Sequence, residues 1–359
     1  MSRFLHGVGK PIKVWAILTV LVILCRVGTC QKPSFNNAPV IGVMTMPCQF
    51  GEIEEDGRFH PFDSKTMNPE DHFYYGLFNS YKTYLEIAGA KVVPIIHDTP
   101  REKLLPLLGK LNGVLFTGGG LDLVDRQTKE YHVYTKTSQI IFDYALNQTD
   151  MGDYFPLIGI CQGFQLLNIL KSDDKLVLKS APASFKLNDY LLPFLDDYSD
   201  SRFFSYIGEN KEWIYSHEKL VINLHDWGIY LADYIYNRQE LRDFYKIITY
   251  EEDDHRRFLV TAIEAFDYPI YGVQFHPERT FFRFSDKDNY TRSAEARMLS
   301  EDLIFYFVEE ARKNQHYFET QEDLDKHMYG CQRKTYGYIQ STGEFIQPIL
   351  VDSTCLGYD

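Results

Sequence analysis

One run constrains this chain more than any other: Gly159-Ile160-Cys161-Gln162-Gly163-Phe164-Gln165. A short apolar stretch, Phe155-Pro156-Leu157-Ile158-Gly159-Ile160, leads into it, and Phe164 to Leu170 leads out with a helical pattern. Four to eight apolar residues read as a buried strand, and the change of period after them reads as a helix. Cys161 therefore falls where a strand stops and a helix begins, with a glycine on either side to ease the turn. That is the arrangement of a nucleophile elbow, built here on sulfur. The first amides of a helix lack partners, and its dipole is positive at that end. Both effects favour a thiolate. These residues alone leave open a cysteine that packs as a small hydrophobe.

A base for the thiol stands far downstream, in Tyr271-Gly272-Val273-Gln274-Phe275-His276-Pro277-Glu278. Residues two apart on an extended chain point the same way, so His276 and Glu278 can face one site, with Pro277 stiffening the backbone between them. A Cys–His pair whose imidazole is oriented by a carboxylate is a general recipe for an activated thiol nucleophile. Taken by itself, His-x-Glu also describes a surface histidine beside an unrelated acid.

The remaining pattern alternates. Strands are expected at Pro39 to Thr45, Lys91 to Ile96 and Asn112 to Phe116, with Pro94 suggesting an edge for the second. A helix is expected from an Asn68 cap, with Pro69 at its first position, to Ala88. Thr99-Pro100-Arg101-Glu102 reads as a capping box, and Glu130 to Asn147 as a further helix. Strands alternating with helices imply an α/β fold, a mostly parallel sheet with helices on both faces. Lys171 to Lys219 loses this regularity and is a candidate cover over the site. Leu220 to Leu224 and Leu241 to Tyr250 read as strands or short helices. Arg257 to Phe266 and Pro269 to Phe275 read as a hairpin turning at Asp267-Tyr268. Glu251-Glu252-Asp253-Asp254 reads as a solvated loop. Ser293 to Asn314 reads as an amphipathic helix burying Met298, Leu299, Leu303, Ile304 and Phe307.

Residues 1–30 have the pattern of a secretory signal peptide: Arg3, Lys10 and Lys13, an apolar run from Val14 to Cys25, then the small residues Gly28-Thr29-Cys30. The run is short for a membrane span, although a retained anchor is the alternative, and no other stretch is suited to cross a membrane. A secretory route permits disulfides, so Cys331 with Cys355 is one possible pairing, which leaves Cys48 free. The same route makes Asn147 and Asn289 candidate glycosylation sites in Asn-x-Thr sequons. The chain carries a formal charge of −13, and the first thirty residues hold four bases and no acids, which leaves −17 for the rest. This argues against nucleic acid or an anionic membrane surface as partner. The histidines lack the spacing of a metal site, and Thr117-Gly118-Gly119-Gly120 lacks the Lys and Ser/Thr of a phosphate-binding loop.

The cysteine and histidine motifs together resemble the class I glutamine amidotransferase-like hydrolases and, among them, the gamma-glutamyl hydrolase family. Asn79 to Ala90, Asn112 to Gly119 and Asn223-Leu224-His225-Asp226-Trp227 carry the resemblance further, as does Tyr268-Pro269-Ile270. It spans about Pro39 to Phe318. The resemblance implies a three-layer sandwich and three parts: the signal peptide 1–30, the hydrolase domain 31–320 and a tail 321–359. It implies Cys161 as nucleophile, His276 as proton donor and base, and Glu278 as its orienting acid. The backbone N–H groups of Gly118, Gly119 and Gln162 would hold the oxyanion, although Thr117 replaces the proline usual in the family. Tyr81 and His225 match positions lining the substrate cleft. The implied substrate is a folate poly-gamma-glutamate, hydrolysed without a cofactor or metal. The implied setting is the secretory pathway, ending outside the cell or in a lysosome or vacuole, and a homodimer is possible. A glutaminase-type amidotransferase and a secreted binding protein without activity are the alternatives. A polyanionic substrate also requires local cations on an acidic protein.

Overall fold

The computed structural model describes residues 36–47, 51–53, 59–61, 74–125, 127–181, 185–194, 200–205, 209–282, 290–329, 332–334, 337–339, 344–346 and 348–352. The chain divides into two units, Met1–Phe35 and Asn36–Asp359, and all described residues belong to the second. The signal-peptide residues, Cys48, Cys331, Cys355 and Asn289 lie outside the described residues.

The centre is an eight-stranded sheet. Its parallel part contains β1 (Val40–Met44), β3 (Lys91–Ile95), β4 (Gly113–Phe116), β5 (Leu157–Ile160) and β11 (Ile270–Val273), in the spatial order β11-β5-β4-β1-β3. Antiparallel strands extend it beyond β11, namely β10 (Phe258–Ala265), β9 (Tyr245–Glu252) and the two-residue β7 (Leu192–Pro193). The parallel strands are short apolar runs because both faces are covered. Side chains alternate between the two faces, so Ile41, Val43, Leu115, Ile158 and Ile160 enter one core while Val40, Met44, Val114, Phe116 and Leu157 enter the other. Helices α1 (Asn79–Ile87) and α5 (Ala294–Ala311) close the first core, and α2 (Arg101–Leu108), α3 (Val133–Asp150) and α4 (Gln162–Ser172) close the second. The result is a three-layer α/β sandwich. Beyond residue 320, helix α6 (Gln321–Tyr329) contributes the buried Leu324 and Met328 to the second core.

Several local expectations need correction. Tyr74–Phe78 is strand β2 and not the middle of a helix; the helix begins at Asn79. Gly76 weakens helix formation there, the aromatic neighbours suit a strand, and β2 pairs antiparallel with β12 (Pro348–Asp352), a partner hundreds of residues away. The expected helix start, residues 68–73, lies outside the described residues. The Thr99 capping box does not form. Thr99 Oγ1 donates to the Ile96 carbonyl, and Pro100 occupies the cap position of α2. Helix α3 starts at Val133, later than expected, because the His132 ring caps it by accepting from the Tyr134 amide.

Three expected elements form as read from the sequence. β3, with Pro94, is the edge strand. β10 and β11 form the hairpin, Ala262 opposite Val273. Ser293 caps α5, whose Leu299, Leu303, Ile304 and Phe307 are buried, while Met298 is half-buried. Asn147 is exposed near the end of α3. Among the described residues no helix is long and apolar enough to cross a membrane.

Candidate active site

Three neighbouring parallel strands end at one place. Phe116 of β4 pairs with Gly159 of β5, and Ile160 of β5 pairs with Val273 of β11. The residues just past those ends are Thr117-Gly118, Cys161 and Gln274 to Glu278. Ligands of parallel α/β sheets bind outside these carboxyl ends.

Cys161 has φ 53° and ψ −105°, outside the regions open to ordinary L-residues. The cysteine therefore takes the strained conformation itself, and the flanking glycines serve a different purpose. A Cβ at Gly163 would collide with the Phe116 carbonyl oxygen, so the missing side chain lets α4 lie close against β4. The strain, of order 1–3 kcal/mol, is held in place from both sides. The Cys161 amide donates to the Val273 carbonyl at 2.8 Å, and its carbonyl accepts from the Gln165 amide at 3.1 Å.

The structure brings His276 and Glu278 together: Nδ1 of His276 lies 2.8 Å from Glu278 Oε1, and both side chains are buried. The His276 amide donates to the Ile222 carbonyl of β8 (Lys219–Leu224) at 2.9 Å, which ties the motif to a second strand. Ser300 on α5 donates to the Pro277 carbonyl at 2.6 Å. A Cβ built on Gly118 would lie 2.5 Å from Tyr81 Oη, 2.9 Å from His276 Cε1 and 3.2 Å from Cys161 Cβ. These three side chains therefore surround a position that only glycine can fill.

The charges reinforce one another. Burial pushes the Cys161 thiol up, but the charge of His276, its hydrogen bond to the sulfur, and the nearby His225 and Arg279 outweigh burial and hold the thiol below its ordinary range. Burial would depress His276, but Cys161 and Glu278 raise it to about 9 against the opposing Arg279. Glu278 is buried too, which favours its neutral form, yet His276 and then Arg279 keep it below the usual carboxylate range. The arrangement can hold a thiolate–imidazolium pair, the activated form of a cysteine nucleophile.

Tyr81 is buried beside the thiol, and its hydroxyl accepts a 2.8 Å hydrogen bond from the Gly118 amide. Of the amides expected to hold an oxyanion, Gly118 thus already has a partner. Gln162 and Gly119 lie alongside. The Gln162 side chain clamps the glycine loop by accepting from the Leu121 amide at 3.2 Å and donating to the Leu121 carbonyl at 2.7 Å. Its own amide belongs to the first turn of α4, where no intrahelical acceptor exists.

His225 is buried at the same site, and the carbonyl of its neighbour Leu224 lies 3.9 Å from the sulfur. Sequence reasoning missed the residues behind it. Glu251, read as part of a solvated loop, is buried at the end of β9, and its Oε1 stands 3.0 Å from His225 Nε2. Asp253 is also buried, accepting from the His255 and Arg257 amides. Of the acidic run only Asp254 is exposed. Strand alternation continued through Thr249 would have placed Glu251 inward. Gln165, also unmarked by sequence, donates to the Trp227 carbonyl at 2.7 Å and fixes the loop that carries His225. Among the described residues no cluster of three or more His, Cys, Asp or Glu could hold a metal ion.

A mostly parallel three-layer sheet with a cysteine elbow facing a histidine–carboxylate pair defines a class I glutamine amidotransferase-like α/β protein. A family model described as Peptidase C26 matches residues 62–172, a span that includes Cys161 and stops short of His276. The chain is 32% identical over 330 residues to a gamma-glutamyl hydrolase of Rattus norvegicus, covering 90% of this chain and 93% of that protein. It is 32% identical to the Mus musculus gamma-glutamyl hydrolase (79% and 81% covered) and 29% identical to the Homo sapiens one (86% and 91%). The chain belongs to the gamma-glutamyl hydrolase family. A solved structure of a putative GMP synthase component from Thermoplasma acidophilum is similar at 13% identity and a TM-score of 0.42, covering 76% of this chain and 94% of that one. That likeness is too distant to add to the fold assignment.

Proposed function

We propose that this protein hydrolyses gamma-glutamyl bonds of folate poly-gamma-glutamates through a thioester on Cys161. The observation that carries this reading is the buried convergence of Cys161, His276 and Glu278, with the 2.8 Å His276–Glu278 contact fixing the imidazole. The Cys161 thiolate attacks the side-chain amide carbon of a glutamyl unit. Backbone amides of Gln162 and Gly119 receive the developing oxyanion, joined by Gly118 once Tyr81 yields its hydrogen bond. Each such donor is typically worth about 3 kcal/mol of barrier. His276 gives its proton to the departing amine, and the carbon–nitrogen bond breaks to leave a thioester. His276 then takes a proton from water, whose oxygen bonds to the thioester carbon; the carbon–sulfur bond breaks, the glutamyl product leaves as a carboxylic acid, and the Cys161 thiolate and protonated His276 are restored.

Tyr81 and His225 line the cleft as substrate contacts. His225 and Arg279, both acting on the thiol, supply positive charge that an acidic protein otherwise lacks for an anionic substrate. The chemistry needs no metal or cofactor. The leader-like residues 1–30 and the exposed Asn147 sequon support a secreted, lysosomal or vacuolar glycoprotein.

Product analysis tests the reading. Purified protein incubated with a defined folate pentaglutamate should release glutamate or short gamma-glutamyl peptides, and the Cys161→Ala protein should release none. Ammonia from free glutamine with no cleavage of the folate would indicate a glutaminase. Substrate binding with no product from either compound would indicate a binding protein. Either result overturns the proposal.

A further inference from the structure

Close to the thiol lies a second buried imidazole–carboxylate pair. His225 Nδ1 stands 3.1 Å from the Trp227 carbonyl and its Nε2 stands 3.0 Å from Glu251 Oε1. A carbonyl oxygen can only accept, and an ionised carboxylate can only accept. Both ring nitrogens therefore face acceptors, and a neutral imidazole carries only one N–H. The second contact lies off the direction of a regular hydrogen bond, so it acts chiefly through charge. Both side chains are almost wholly buried. The carboxylate is held from its other end as well: Asn223 Nδ2 donates 2.5 Å to Glu251 Oε2 and 3.1 Å to Asp189 Oδ2, and Lys186 Nζ lies 3.5 Å from Asp189.

We infer that Glu251 is a positioning residue for the proposed thiol chemistry, holding His225 as an imidazolium so that the Cys161 thiolate is flanked by two cationic rings. The inference rests on Cys161 being the reactive thiol. The groups that face the pair act in both directions. Glu251 from β9 and Cys161 from the elbow favour the charged ring, His276 opposes it, and burial opposes it most, with the net effect that His225 lies above the ordinary imidazole range. Burial raises Asp189, and Glu251 raises it further, while Lys186, the Tyr190 amide and Asn223 lower it, leaving it above the usual carboxylate range. That limits how strongly Asp189 repels Glu251. The arrangement assigns different work to the two histidines: His276 transfers protons, while His225 keeps its proton and stabilises sulfur charge before attack.

The test is the pH dependence of Cys161 alkylation by iodoacetamide in the folded protein, followed by peptide mass spectrometry. In wild type, Cys161 should react fast and at a pH below that of an ordinary thiol. In Glu251→Gln the rising limb should move up by about one pH unit, a tenfold loss of thiolate on that limb, and the rate should recover at high pH. His225→Asn should shift the limb in the same direction, and the double variant should shift it no further than His225→Asn alone. A Glu251→Gln profile that coincides with wild type, or one that is lowered equally at every pH, overturns the inference. If Glu251→Gln does not fold, an unshifted His225→Asn profile overturns it equally. A wild-type Cys161 that reacts no faster than a free thiol would instead refute the cysteine mechanism itself.

Discussion

Ile160 and Val273 pair in register across adjacent parallel strands. That pairing explains how Cys161 and His276, far apart in the chain, come to share one site. Each strand runs out at the same level, and the next few residues of both turn toward the same edge. A one-residue slip would reverse the face on which side chains emerge, and the imidazole would leave the sulfur. The two motifs therefore depend on the apolar strands before them as much as on their own residues.

Replacing Cys161, the proposed nucleophile, separates chemistry from stability. Cys161→Ala should reduce turnover of a gamma-glutamyl substrate by at least about 10⁴-fold while leaving substrate affinity nearly intact, as read by single-turnover kinetics and calorimetry. Cys161→Gly should be equally inactive yet more stable by about 1 kcal/mol, because glycine tolerates the φ of 53° that strains the cysteine. Urea denaturation of the two variants and wild type checks the ordering.

The pH profile follows from the paired charges. In the proposed mechanism productive attack needs a Cys161 thiolate and a protonated His276, so kcat/KM should be bell-shaped. Its rising limb should lie below the ordinary thiol value of 9.0, and its falling limb should be set by His276 at about 9. Stability carries the same signature. The folded His276 binds its proton more tightly than an unfolded histidine, so its contribution is complete below about 6.5 and is lost as pH rises through about 9. The thiol, held low, contributes in the opposite sense and loses its share as pH falls through its lowered folded value. Thermal melts across pH, compared with Cys161→Ala, should show both trends weakened in the variant.

Glu278→Gln keeps the shape of the side chain and removes its charge. His276 loses one of the two partners that raise it, so its falling limb should move to lower pH. The activity maximum should drop by about 10²-fold or more. A steady-state pH series on the purified variant measures both.

Tyr81→Phe removes the hydroxyl that accepts from the Gly118 amide. A buried amide left without its partner should cost about 1–3 kcal/mol of stability. If the same amide joins the oxyanion site during catalysis, kcat should fall less than stability suggests, because one competitor for that amide has gone. Denaturation and kinetics on the same preparation decide this.

Gly163→Ala tests the close approach of helix to strand. The added methyl would meet the Phe116 carbonyl, so α4 must shift and the elbow with it. A loss of more than about 2 kcal/mol is expected, together with reduced alkylation of Cys161, both measurable on the purified variant.

The parallel sheet and the elbow were legible because their cause is local: short apolar runs and a change of period at Cys161. What stayed hidden depended on distant partners. Tyr74–Phe78 becomes a strand because Pro348–Asp352 pairs with it, a partner that no local pattern reveals. Glu251 looked like surface acid because three more acids follow it, yet its strand carries it inward to His225. Gln165 and Asn223 are ordinary polar residues whose roles arise only from what folding places beside them. His276 and Glu278 were readable as a pair because they are two apart on an extended chain. Their meeting with Cys161 is expected from the need of a thiol for a base and from the family resemblance, whereas the strand register that brings it about is not a local signal.

Pro94 lies on the last strand of the parallel side, opposite Val43. A proline supplies no N–H, so that margin lacks a donor where an incoming strand would seek one. The opposite margin ends in a strand of two residues, Leu192–Pro193, with a proline of its own. Continuous hydrogen-bonded ribbons running from one molecule to the next are thereby discouraged at both ends. The two margins of the central sheet thus stand as barriers to aggregation by strand addition.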